Sequence, residues 1–294
     1  MDLPYAVLRQ PSRQQLRTAA KNSDIVFQNL ISLRTLAGVL FSGKPIVVTH
    51  QSWLRRTDGS RGLQNYVKLI ALRFCKNISI SQAIADALPV RSIIIRNAFE
   101  ASAFADLRDK PREKDLVFLG RLVSDKGCAL LLQALAELKS RNLFPSLTVV
   151  GDGPERSALT QLTGELGLTG QVEFTGALHE NRGEVVARHR IMVVPSVWAE
   201  PFGIVALEGI ASGCAIVASE LGGLPDAAGP CGLYFPNGDA HKLADVLEQV
   251  LTDTALREQL VANGPEHLKE FQPTTVAARY LEVFRSAIAK RSQP

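Results

Sequence analysis

The stretch IMVVPSVWAEPFGIVALEGIASGCAIVAS, residues 191–219, decides the fold. Its two ends, IMVVPS (191–196) and AIVAS (215–219), are short runs rich in β-branched residues and read as strands. Between them stand a loop marked by Pro and Gly and an apolar helix that starts near Gly203. Strand, loop, helix and strand in so short a space form a crossover unit, which lays two strands in parallel in one sheet. The same stretch poses a chemical question. An otherwise apolar run carries a carboxylate at each end, Glu200 and Glu208. A buried carboxylate without a partner is costly, so something polar must meet each.

Working outward, the alternation continues on both sides. LVFLG (116–120), LTVVG (147–151), VEFTG (172–176) and GLYF (232–235) read as further strands. Helices fall between them, DAHKLADVLEQVLTD (239–253) and TTVAARYLEVFRSAIAK (274–290) being the clearest. Upstream, DIVF (24–27), PIVV (45–48), NISIS (77–81) and SIIIR (92–96) read as strands, with helices near 11–21, 31–42, 61–76 and 82–88. NAFEASAFADLRDKPREKD (97–115) loses periodicity and gains charge, which marks a linker. Two blocks of alternating strands and helices predict an α/β chain of two doubly wound parallel-sheet domains, residues 1–110 and 111–273.

Composition narrows the class. About half of the 294 residues are hydrophobic, enough for true cores, and no apolar run approaches the roughly 20 residues of a membrane span. The start has no signal-peptide layout, and Cys75, Cys128, Cys214 and Cys231 are scattered, so a reduced, cytoplasmic protein is expected. Residues 1–110 hold 16 Lys/Arg against 7 Asp/Glu, a net +9, whereas the remainder holds 17 against 22, a net −5. A basic first domain attracts phosphorylated substrates or an anionic membrane surface, or is simply a solvated face. Arg9, Arg13, Arg17 and Lys21 recur at helical spacing and are expected to form one basic stripe. RRTDGSRG (55–62) is either an acceptor-facing loop or an exposed turn.

In open α/β sheets ligands sit beyond the carboxyl ends of the strands. Five loops of the second block fall there and are rich in small and polar residues: GRLVSDKG (120–127), GDGPER (151–156), TGALHE (175–180), PSVWAEPFG (195–203) and SELGGLPD (219–226). Arg121 and Lys126, on the loop opened by Gly120, suit a diphosphate, or else are solvated bases on a turn. GDGPER has Arg156 where a dinucleotide fingerprint has its third glycine, and Gly153 with Pro154 makes a tight strand-to-helix turn. Pro201, Phe202 and Gly203 lead into a helix whose first amides, at Gly203, Ile204 and Val205, form an anion site. Glu200 and Glu208 flank that site as acceptors for hydroxyls. Hexose, diphosphate and ribose have this layout. His179, His189, His241 and His267 show no metal-ligand spacing, and no Asp-x-Asp occurs.

These loops, in this order, resemble the retaining glycosyltransferases of family 4, whose fold, GT-B, has two Rossmann-like domains. Glu200 and Glu208 in EPFGIVALE match that family's paired-glutamate signature, GRLVSDKG its phosphate loop, GDGPER its base-side loop and SELGGLPD the turn after its signature helix. The resemblance implies that Arg121 and Lys126 hold the diphosphate, that Glu200 holds the hexose and Glu208 the ribose, and that Gly203 and Ile204 present amides. It implies that Ala177 and Leu178 line the base and that the helix 274–290 packs back on the first domain. PIVVTHQSW (45–53) resembles the family's strand-then-histidine segment, which makes His50 a catalytic candidate facing the reacting sugar. The expected activity is transfer of a hexosyl group from a nucleotide diphosphate sugar to a glycan or lipid-linked acceptor, with no metal or other cofactor and no nucleic acid. A nucleotide-sugar epimerase and a non-catalytic nucleotide-sugar-binding remnant are the alternatives. The family's first domain begins with more strands than precede DIVF here. The first domain is therefore expected to be incomplete, with an uncovered sheet edge met by self-association or by a further N-terminal segment.

Overall fold

The structure, a computed structural model, describes residues 9–40, 42–54, 62–101, 104, 107–108, 110–178 and 181–289. Residues 55–61 of RRTDGSRG, and His179, lie outside them. The chain divides into two compact units, Met1–Ile95 with Ala277–Pro294, and Arg96–Val276.

The first unit runs α1 (Arg13–Lys21), β1 (Val26–Asn29), α2 (Leu33–Val39), β2 (Ile46–His50), α3 (Leu63–Leu72), β3 (Lys76–Ser79), α4 (Gln82–Asp86) and β4 (Ile93–Ile94). Its four strands are all parallel, in the order β1-β2-β3-β4. Serines start three of the helices by accepting from a backbone amide one turn on. Ser12 accepts from Gln15 in a reciprocal capping box, Ser32 from Thr35 and Ser81 from Ile84. Leu36, Val39, Ile46, Val48, Leu69 and Leu72 form the core between sheet and helices.

The second unit runs β5 (Lys114–Leu119), α5 (Cys128–Ser140), β6 (Leu147–Val150), α6 (Arg156–Glu165), β7 (Val172–Gly176), α7 (Arg182–Ala187), β8 (His189–Val194), α8 (Ile204–Ala211), β9 (Ala215–Ser219), α9 (Leu224–Ala228), β10 (Gly232–Phe235), α10 (Ala240–Thr252), α11 (Thr254–Ala262) and α12 (Gly264–Lys269). All six strands are parallel, in the order β10-β9-β8-β5-β6-β7. The chain enters at β5 in mid-sheet, builds outward to β7, then returns to place β8 on the other side of β5. The strand order therefore reverses between β5 and β8, and the crevice beyond their carboxyl ends is where such sheets take ligands. Strands buried on both faces need continuous apolar sequence, and residues 191–194 and 215–218 are all buried.

A last helix, α13 (Pro273–Ala289), leaves the second unit and docks on the first. The Tyr280 and Phe284 rings pack on Phe27, the Tyr280 hydroxyl lies 3.1 Å from Thr49 Oγ1, and Lys76 Nζ donates to Ser286 Oγ at 3.2 Å.

Each of the ten runs read as strands is a strand. The linker needs correction. Residues 96–110 belong to the second unit, so the boundary lies at 95/96 and not at 110. Phe99 is buried, and its amide donates to Phe271 O at 2.7 Å. Arg108 donates to Ile210 O and Val261 O at 3.3 and 3.2 Å, capping the ends of α8 and α11. Arg112 donates to the carbonyls of Ala187 and His189. Guanidinium groups that satisfy orphan helix carbonyls fasten an aperiodic, charged segment as firmly as a helix face would.

Candidate active site

The five loops at the carboxyl edge of the six-stranded sheet are joined side by side through their backbones. Gly151 N donates to Gly176 O, Leu122 N to Asp152 O, Val197 N to Asp125 O and Gly223 N to Glu200 O, all at 2.7–3.0 Å. The junction between the β5 and β8 loops needs glycine. Gly127 has φ of 71°, and a Cβ there would lie 1.9 Å from Pro195 O. Short β5 and β8 loops locked together in this way bring their polar side chains to one place.

At the start of α8, Gly203 adopts φ of 111° and no side chain caps the helix. The amides of Gly203, Ile204 and Val205 have no partner among the described residues and point from the positive end of the helix. Glu200, just before this end, is buried. Its Oε1 lies 2.8 Å from Lys126 Nζ and accepts from Ser196 Oγ. Glu208, on the next turn of the helix, keeps only 14% of its side chain exposed, and its Oε1 lies 2.8 Å from Arg182 Nη2. Burial raises the Glu208 pKa, and the nearby Arg182 guanidinium opposes that shift. The two carboxylates of the apolar run are thus met by one cation each, from the loop after β5 and from the first residue of α7.

The remaining expected residues fall at several places. Arg121 is exposed, with no side-chain partner among the described residues, on the same loop as Lys126. Gly120 and Gly153 are backbone junctions. Gly120 N donates to Val150 O at 3.0 Å, and Gly153 N to Asp152 Oδ1 at 2.7 Å. Leu178 is half-buried just beyond β7. Phe202 is buried, with its ring 5.9 Å from that of Phe271, so its side chain shapes the loop from the core side. Ile204 is exposed and Val205 half-buried at the first turn of α8.

His50 belongs to the first unit, at the end of β2, and is buried. Asn77 Nδ2 donates to the carbonyls of Leu72 and Cys75 at 3.0 and 3.1 Å, which turns Asn77 Oδ1 toward His50 Nε2 at 3.1 Å. The imidazole therefore carries its proton on Nε2 and leaves Nδ1 as an acceptor. Burial lowers its pKa, while the Asn77 hydrogen bond works the other way.

Sequence reasoning missed Ser196, Arg182 and Asn77. Arg182 is the first arginine after β7, and Ser196 stands four residues before Glu200, but nothing local says what either would touch. Among the described residues no cluster of three or more His, Cys, Asp or Glu could hold a metal ion. No helix among them is long and apolar enough to cross a membrane.

This geometry has close relatives. A lipopolysaccharide core biosynthesis glycosyltransferase, LpsD, of Rhizobium meliloti is 36% identical over 198 residues, covering 64% of this chain and 54% of that protein. The phosphatidyl-myo-inositol mannosyltransferase of Mycolicibacterium smegmatis is 32% identical over 209 residues, covering 68% of this chain and 53% of that protein. The chain thus spans about half the length of these curated relatives. Among solved structures, Anabaena HepE in complex with UDP superposes with a TM-score of 0.77 at 21% identity, covering 93% of this chain and 82% of that one. A glycosyltransferase from Rickettsia africae superposes at 0.76 with 16% identity, covering 98% and 84%. These likenesses give the two-sheet GT-B fold. Residues 100–267, more than half of the chain and including all five loops, match the family described as Glycosyl transferases group 1, and the chain belongs to that family.

Proposed function

We propose that the chain moves a hexosyl group from a nucleotide diphosphate sugar to a hydroxyl of a glycan or lipid-linked acceptor, as a family 4 enzyme, with retention at the anomeric carbon and without a metal. The observation that carries this reading is the placement of Glu200 and Glu208 on either side of the uncapped start of α8, at the point where the strand order reverses. In this reading the diphosphate lies on the amides of Gly203 and Ile204, with Arg121 and Lys126 as its cations. Glu200 accepts from hydroxyls of the hexose and Glu208 from those of the ribose, while Leu178 lines the base. The pairs Lys126–Glu200 and Arg182–Glu208 match the two carboxylates with positive charge until sugar hydroxyls arrive.

The acceptor oxygen bonds to the anomeric carbon on the face from which the diphosphate departs. The carbon–oxygen bond to the diphosphate breaks, its electron pair stays on the phosphate oxygen, and that oxygen takes the acceptor's proton. Charge grows on the leaving group in the transition state, where Arg121, Lys126 and the α8 amides act most strongly. His50 is the first unit's catalytic candidate, with Nδ1 left as an acceptor by the Nε2 hydrogen bond to Asn77.

The solved neighbours that contain UDP or UDP-glucose support a nucleoside diphosphate donor. Relatives named as a lipopolysaccharide core biosynthesis glycosyltransferase and a phosphatidyl-myo-inositol mannosyltransferase support a glycan or lipid-linked acceptor, and we propose the cytoplasmic side of a membrane as the setting. The test is incubation with labelled nucleotide sugars, with and without a cell-membrane extract. Label entering an acceptor with its anomeric configuration kept is the expected result. A donor sugar altered in place marks an epimerase, and binding without either change marks a binding protein. Each of those two outcomes ends the transfer reading.

A further inference from the structure

Ser196 stands just past the end of β8, and the backbone that carries it is fixed on both sides. Pro195 O lies against Gly127, the Val197 amide donates to Asp125 O at 3.0 Å, and Asn237 Nδ2 donates to Val197 O at 3.0 Å. The serine is 1% exposed, and a single torsion, χ1, places its oxygen. Its hydroxyl donates to Glu200 Oε1, the same oxygen that takes Lys126 Nζ at 2.8 Å. Two donors thus hold the buried carboxylate through one of its oxygens. Oε2 takes no hydrogen bond among the described residues, and it reaches the surface, since it is not one of the buried polar atoms left without a partner.

The two donors differ in what they fix. The Lys126 ammonium is a point charge on a flexible stem. In the proposed complex it also serves the diphosphate, so it supplies charge without direction. The Ser196 hydroxyl has a short stem on a pinned backbone and bonds along one line. It limits rotation of the carboxylate about its last bond, so that Oε2 is turned outward before any sugar arrives. A carboxylate oxygen prepared in this way loses little freedom when a hydroxyl donates to it.

We propose that Ser196 is a positioning residue, which turns the Glu200 carboxylate so that Oε2 accepts from the hexose of the donor. This inference rests on the proposed role of Glu200 toward the hexose. It restricts the donor to sugars that keep a free hydroxyl at that oxygen. It also separates recognition of the sugar, through Ser196 and Glu200, from recognition of the nucleotide, through Glu208 and the α8 amides.

Calorimetry on the full chain compares UDP, GDP and ADP with UDP-glucose, GDP-mannose and ADP-glucose, for the parent and for Ser196→Ala. For the pair that the parent binds, Ser196→Ala binds the diphosphate as the parent does and the nucleotide sugar about tenfold more weakly. Unchanged diphosphate binding also shows that the loop has kept its fold, because the same loop leads into α8. In a Glu200→Ala chain, Ser196→Ala costs no further nucleotide-sugar affinity, since the hydroxyl acts through the carboxylate. The proposal is overturned if Ser196→Ala weakens diphosphate and nucleotide sugar equally, which marks a structural residue. It is overturned if the variant binds both as the parent does, or if its loss adds in full to that of Glu200→Ala. A parent chain that binds a diphosphate but none of the nucleotide sugars removes the sugar-facing roles of Ser196 and Glu200 and leaves the nucleotide site standing. A parent that binds none of the six ends the donor reading itself.

Discussion

Glu208 is held in a state that is costly to the fold when charged. Its carboxylate is mostly buried and its folded-state pKa is raised, by burial first, with Arg182 opposing. A carboxyl group whose pKa rises on folding stabilises the fold below its ordinary pKa near 4.5 and loses that contribution as pH climbs through the raised value. Near neutral pH the charged side chain is thus a burden on the fold. Glu208→Gln should leave the thermal midpoint at pH 7 unchanged or higher and flatten its decline between acid and neutral pH. The same substitution should weaken nucleoside diphosphate binding roughly ten- to a hundredfold, through loss of charged hydrogen bonds. Calorimetry beside thermal melts checks both, and a lower midpoint with unchanged affinity would make Glu208 a structural residue. Lys126 and Arg121 should separate in the same way. Lys126 neutralises a buried carboxylate, so Lys126→Ala should lower stability by about 1–3 kcal/mol as well as turnover. Arg121 is exposed on the same loop, and Arg121→Ala should lower turnover with the midpoint intact. Melting curves set beside initial rates test the pair, and equal losses of midpoint would refute the distinction. For His50 the sign is the reverse of Glu208's. Its folded pKa is lowered, so its contribution to stability is complete above the ordinary value of 6.5 and is lost as pH falls toward the lowered one. At this scale type and local spacing were enough to pick out four residues of the proposed site, Glu200, Glu208, Arg121 and Lys126. Ser196, Arg182 and Asn77 were illegible because each owes its role to a partner brought up by the fold.

At the scale of elements, α8 shows why the strands were easy to read and the helix starts harder. Runs such as IMVV and AIVAS are apolar throughout because both faces of a parallel sheet are covered, and that pattern survives any loop around it. The start of α8 instead depends on one left-handed residue. Gly203 has φ of 111°, and a Cβ there would lie 2.5 Å from Leu224 Cδ2. Gly203→Ala should therefore cost about 1–3 kcal/mol of stability and turn the α8 amides away from the proposed diphosphate position. Nucleotide affinity should fall with it, and a Gly203→Ala protein that binds nucleotide normally would remove the helix start from the site. The segment 97–115 was the element that misled. Its loss of periodicity and its charge read as a tether, whereas Phe99, Arg108 and Arg112 find carbonyl partners distant in sequence.

The whole molecule is two units of unequal sheet, and the donor chemistry proposed here lies within the larger one, Arg96–Val276. That unit has its own six-stranded sheet and its own core. A fragment of residues 96–276 should fold and bind a nucleoside diphosphate without the first unit. A fragment cut at 112 should melt lower, because it lacks Phe99 and Arg108. Equal midpoints for the two fragments would return the boundary to 110. The measurement that tests the central claim most directly is a calorimetric titration of the full chain with a panel of nucleoside diphosphates, repeated on Glu208→Gln and Arg121→Ala. The account predicts that at least one diphosphate binds the parent chain with a Kd below millimolar and binds each variant at least tenfold more weakly. No binding at millimolar concentration, or equal binding by parent and variants, would contradict it.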